Sequence, residues 1–175
     1  MKKIFLVLLI AFSFSSCEKD DICDAATSTT PRLVIEFYDS LIATPTLKNL
    51  TNLKAVASGM SDGVVFNSSL SVTNPLRYLT NASKIYLPLD PSASTTTYTL
   101  TNNFGDTTAN ADVLTFNYTK KEVYVSRACG YKYLFNLTNT NTNILTPDTD
   151  NWIKNIIIVK PNLETENEVH IKIFF

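Results

Sequence analysis

The sequence predicts an all-β domain: a single antiparallel β-sandwich, immunoglobulin-like or related, of about eight to ten strands. Three observations predict it. Apolar residues recur at every second position in several short segments, as in Leu33, Ile35 and Phe37, or Val169, Ile171, Ile173 and Phe175. This is the spacing of a strand with one buried face. Charged residues make up only 18% of the chain, below the usual quarter or so. Thr and Asn fill the polar share; Thr favours strands, and Asn tolerates the left-handed conformations of turns. With only four Gly in the chain, Asn must do much of the turn work. Beyond the first 16 residues no segment carries a convincing helical period.

The chain opens Met1-Lys2-Lys3, followed by a run from Ile4 to Phe14 that is apolar except at Ser13. A membrane-crossing helix takes about 20 apolar residues. This run is about half that length and a charged cluster follows, which predicts a cleaved signal peptide over residues 1–16. Ser15 and Ser16 suit an ordinary signal peptidase. Phe14-Ser15-Ser16-Cys17 also resembles a bacterial lipobox, with Phe14 where Leu is usual, and would make Cys17 the acylated first residue of the mature chain. Residues 17–31 are then an acylated N-terminus and flexible tether, and residues 32–175 the sandwich. Lys19-Asp20-Asp21, offset by Glu18, resembles the surface-export signal of Bacteroidota-type lipoproteins; a charged linker that holds the domain off the bilayer is the alternative. The expected location is the outer membrane, at the cell surface or facing the periplasm.

Arg32 to Tyr38 alternates as the first strand. Leu53–Ala57 and Gly63–Phe66 read as short strands around Gly59-Met60-Ser61-Asp62, with weaker candidates at Ser69–Thr73 and Leu76–Leu79 and a short turn near Thr46–Asn52. Lys84–Leu89 alternates and contains Pro88, which cannot donate to a ladder, so this strand should end there or lie at an edge. Thr95–Thr101 should bury Tyr98 and Leu100, and Asn102–Asp106 is a turn cluster. Asp112–Tyr118 and Val123–Arg127 read as a hairpin turning at Lys120-Lys121, with a further strand at Tyr131–Leu137. Residues 138–150 are polar and should be flexible. Ile153–Lys160 is a continuous apolar run, the pattern of a central strand covered on both faces. Glu164–Asn167 should be a solvated turn into the last strand, Glu168–Phe175.

Chemistry is hard to find in this chain. Loss of Lys2 and Lys3 leaves 13 of 15 basic residues against 16 acids, a mature net charge of about −3 that gives no electrostatic case for nucleic acid. The single His170 alternates away from Val169, Ile171 and Ile173 and is expected on the surface; without a second His there is no signature of a zinc site or a Ser-His-acid triad. No Gly-rich phosphate loop occurs. Asp148-Thr149-Asp150-Asn151 offers alternate oxygen ligands but lacks the Gly and distal Glu of an EF-hand, and reads as an acidic turn. No catalytic residue, metal site or cofactor is predicted. Among the aromatics Tyr124, Tyr133 and Trp152, with Tyr131, are candidates for a sugar-binding platform, against the alternative of core packing. Asp39-Ser40-Leu41 and Asp106-Thr107-Thr108 resemble short O-glycosylation sites at Ser40 and Thr107.

If Cys17 is acylated, Cys23 and Cys129 remain, and export would carry them to an oxidising compartment where disulfides persist. A bridge between them would pin the tether to the sheet; two free thiols are the alternative.

Several blocks together resemble a family of small Bacteroidota-type lipoproteins known only as a domain of unknown function. They are Cys17–Cys23, Thr30–Asp39, Ile85–Leu89 with Thr96–Tyr98, Leu114–Tyr118, Val125–Lys132 and Glu168–Phe175; Leu41–Ser83 fits least well. The resemblance implies the envelope location and the disulfide, and no mechanism. The expected function is a non-enzymatic binding or scaffolding module, held to the membrane by its N-terminal lipid, with an envelope protein or a glycan as partner. A carbohydrate-binding surface lipoprotein is the second expectation.

Overall fold

The structure, a computed structural model, describes residues 22–24, 27, 29–41 and 43–175. Ten strands are present among them: β1 (Leu33–Tyr38), β2 (Leu53–Ala57), β3 (Leu79–Thr80), β4 (Lys84–Leu87), β5 (Thr95–Asn102), β6 (Asn110–Ser126), β7 (Gly130–Leu137), β8 (Asn155–Ile158), β9 (Asn162–Leu163) and β10 (Ile171–Phe174). They form a four-stranded sheet in the order β4-β1-β10-β8 and a six-stranded sheet in the order β3-β2-β5-β6-β7-β9. The expected β-sandwich is what the chain forms.

Period-two alternation sets the core. Across the first sheet Ile85, Ile35, Ile171 and Ile158 stand in one register row. With Leu33, Phe37, Leu87 and Ile173 they meet Leu53, Tyr98, Leu100, Leu114, Phe116, Tyr118 and Phe135 from the second sheet. Each such side chain contributes about 1.5–3 kcal/mol on burial. Pro88 does end an edge strand, since β4 lies at the margin of its sheet. Asn supplies turns as the scarcity of Gly requires: Asn52 and Asn103 both take positive φ, 44° and 55°.

The sheets are antiparallel except where β1 and β10 pair in parallel. Four expectations need correction. The hairpin turning at Lys120-Lys121 does not exist: the chain runs straight through those residues as one 17-residue strand, β6. The true turn is at 127–129, and β7 returns along the second half of β6. The run at 153–160 yields β8 at a sheet edge, not a central strand, and Ile157 and Val159 face outward and are exposed. Gly63–Phe66 and Ser69–Thr73 are irregular, and Pro75–Tyr78 forms a short 3-10 helix capped by the Asn74 side chain. The polar segment 138–150 is stitched to β6: the Thr115 amide donates to Ile144 O, the Thr146 amide donates to Val113 O, and Ile144 is buried.

Candidate functional site

The most distinctive feature is the far half of the β6–β7 hairpin. β5 pairs with β6 only from Asn110 to Asn117, and β7 takes over from Tyr118 to Ser126. Strands average about five or six residues, so β6 runs on well past its first partner. No residue from 119 to 134 is buried. The hairpin therefore projects as a two-stranded arm.

The alternation of the core continues onto this arm after the opposing sheet has ended. On β7 the inner-face row reads Leu137, Phe135, Tyr133, Tyr131, passing from buried to 62% exposed. Opposite, the row of β6 leads to Glu122 beside Tyr133 and Tyr124 beside Tyr131. The Tyr133 hydroxyl donates to Glu122 Oε1 at 2.9 Å. Tyr124 and Tyr131 meet edge to face with ring centroids 5.3 Å apart, and Tyr124 is 55% exposed.

The N-terminal tether is clamped along this arm. Cys23 and Cys129 form a disulfide, with Cα atoms 4.9 Å apart across 106 positions. The Tyr133 amide donates to Thr30 Oγ1 at 3.0 Å. Cys129 sits at the turn because its amide donates to Ser126 Oγ and Gly130, with φ of 69°, reverses the chain beside it. A bridge closing so long a loop typically contributes about 2–4 kcal/mol.

The other predicted positions do not form one site. Cys17, Lys19, Asp20 and Asp21 lie outside the described residues. Ser40 is half-buried and donates its amide to Phe175 O, while Thr107 is exposed with its hydroxyl on Asp106 Oδ1. Trp152 is no platform residue: it is buried against Phe37 and Phe175, with its indole N–H donating to Leu100 O at 3.2 Å. Tyr124, Tyr133 and Trp152 therefore do not line up. The turn at 148–151 spends its oxygens on itself, Asn151 Oδ1 accepting from Asp148 N and Asp148 Oδ1 from Asp150 N. Among the described residues no group of His, Cys, Asp and Glu is placed to hold a metal.

Two buried polar groups escaped the sequence. His170 does point away from the core, as its parity demands, yet it is fully buried, not exposed. Its Nδ1 accepts from the Val34 amide, which puts the proton of the neutral ring on Nε2, and Nε2 has no hydrogen-bond partner among the described residues. Arg32 grips Glu166 through Nε, a terminal nitrogen and its own amide. This bridge ties the supposed solvated turn to Arg32, just ahead of β1. Burial, then nearby Lys160, pushes His170 down to about 4 against the pull of Glu166. Asp112 is the second: Oδ1 accepts from Asn151 Nδ2 and Oδ2 from the Ile153 amide, and burial raises its pKa. Both groups hold backbone or side-chain amides in place.

A cleft of about 430 Å³ lies beside the short helix, lined among others by Lys54, Asp62, Thr73, Tyr78 and Phe104. The Lys54 ammonium stands 4.5 Å from the centre of the Phe104 ring. A family model described as a family of unknown function (DUF6452) matches residues 52–175. No curated protein and no solved structure matches the chain.

Proposed function

The chain belongs to this family of unknown function (DUF6452), which brings no activity with it, and we propose that it is an exported, lipid-anchored envelope protein whose sandwich binds or scaffolds and does not catalyse. The observation that carries the reading is the Cys23–Cys129 disulfide. Disulfides persist in oxidising compartments, and this one fastens the segment that directly follows the lipobox-like Phe14–Cys17. A tether fixed six residues from an acylated Cys17 would transmit the anchor to the folded domain. Lys19-Asp20-Asp21 supports display at the surface of a Bacteroidota-type outer membrane. The test is mass spectrometry of the mature N-terminus together with membrane flotation. An acylated Cys17, and loss of flotation in Cys17→Ala, are expected; a mature chain without lipid, floating equally well in both forms, would refute the anchor.

Glycan binding is the second reading, and the cleft at Tyr78 and Phe104 favours it. Two rings, a cation at Lys54 and a carboxylate at Asp62 supply the apolar and polar contacts that a small ligand site uses. Loss of binding on a glycan array in Tyr78→Ala, with the fold intact, would support it; an array blank for the wild-type protein would remove it.

A further inference from the structure

We propose that the tip of the β6–β7 arm is a membrane-contact surface, on which Tyr124 and Tyr131 rest in the headgroup layer of the bilayer that holds Cys17. The proposal rests on the lipid-anchor reading above. Three features of the arm lead to it.

The first is where the tether goes. The pins at Thr30–Tyr133 and Cys23–Cys129 run the tether outward along the arm, so its described start, at Ile22, lies at the arm's turn. Cys17 is six positions from Cys23, and six residues span at most about 20 Å. The arm tip is thus the part of the domain held nearest the acyl chains.

The second is the chemistry of the tip. Tyr124 and Tyr131 keep the parity of the core-facing rows of β6 and β7 past the end of the opposing sheet, beyond Lys120 and Glu122, so a pair of rings stands exposed at the tip. Beside it Ile22 is 82% exposed. Tyr offers an apolar ring and a polar hydroxyl, the combination enriched at both membrane–water interfaces.

The third is charge. Lys120, Lys121, Arg127 and Lys132 outnumber Glu122 on the arm, while in the sequence of the tether Glu18, Asp20, Asp21 and Asp24 outnumber Lys19. The two sets roughly offset each other. The contact is therefore made by the rings, and a zwitterionic bilayer is enough to observe it.

The acylated full-length mature protein, reconstituted in phosphatidylcholine vesicles with and without brominated acyl chains, provides the test. Tyr131→Trp places an indole at the tip and keeps an aromatic opposite Tyr124. Phe104→Trp places one beyond the other end of β6, about 50 Å away at roughly 3.3 Å per residue. Trp152 is buried and gives the same background in both. The expected result is that brominated lipid quenches most of the added emission in Tyr131→Trp, with a blue shift, and leaves Phe104→Trp unchanged. Vesicle-bound protein with no quenching in Tyr131→Trp, or equal quenching in both variants, would overturn the surface while the anchor stands. The arm would then face a protein partner or a second copy of the chain. Failure of the wild-type protein to float with vesicles would take down the anchor, and this surface with it.

Discussion

The imidazole Nδ1 of His170 lies 2.9 Å from the backbone amide of Val34, across the parallel junction of β1 and β10. The contact requires a neutral ring. The folded pKa of about 4 lies below the ordinary His value of about 6.5. Between these two values the unfolded chain holds a proton that the folded chain lacks. Stability contributed by this residue is therefore present above the window and is lost as pH falls through it, by up to about 3 kcal/mol. Urea unfolding at stepped pH from 7 to 4 should show the decline, and His170→Gln, which keeps an acceptor without a charge, should flatten it. An unchanged slope in that variant would reject the assignment.

Reduction should release the tether and leave the sandwich folded. Limited proteolysis is expected to cut between residues 23 and 30 only after reductant is added, since the covalent hold on this segment is then gone. Cys129→Ser should behave as the reduced protein does and lose about 2–4 kcal/mol. Identical cutting with and without reductant would show that the bridge does not restrain the segment.

Asp112 should be expensive to remove. In Asp112→Ala the buried Ile153 amide has no acceptor, at a cost of about 1–3 kcal/mol. Trp152 adjoins that amide and donates to Leu100 O, so its emission should shift to the red as the 146–153 segment loosens. An unmoved spectrum and an unmoved melting temperature would mean that the carboxylate carries no load.

Gly63 should tolerate no side chain. Its φ is +113°, and a Cβ would stand 2.8 Å from Ala55 O. That oxygen already accepts from the Val64 amide and cannot retreat without losing the bond. Gly63→Ala is expected to destabilise by about 1–3 kcal/mol, read as a lowered melting temperature. Gly59→Ala, with open space around it but positive φ, should cost less. Equal costs would assign the penalty to backbone conformation alone.

The sandwich was legible because burial writes a period of two wherever one face is covered. β1, β5 and β10 show it plainly. β6 was misread for the same reason: past Tyr118 both faces meet solvent, so Lys120, Lys121 and Glu122 replace the apolar beat and imitate a turn. β8 kept an apolar pattern although it is an edge strand, and nothing in Ile156-Ile157-Ile158 distinguishes the exposed middle residue. His170 had the right parity and the wrong exposure, because its surroundings are set by long-range contacts, with its Nδ1 on the Val34 amide 136 positions away. The disulfide could be reached by counting cysteines. The arm could not, since what defines it is the end of the sheet opposite.

The parallel pairing of β1 with β10 sets the order in which the molecule can close. Val34 and His170 are 136 positions apart, and β1 sits in the middle of its sheet with β4 on one side and β10 on the other. A chain emerging N-terminus first from a ribosome cannot complete this sheet until β10 is out. Contacts of such long range also make folding slow. The late strand thus acts as a timer: the sheet stays open while the chain emerges, and locks only once β10 has followed.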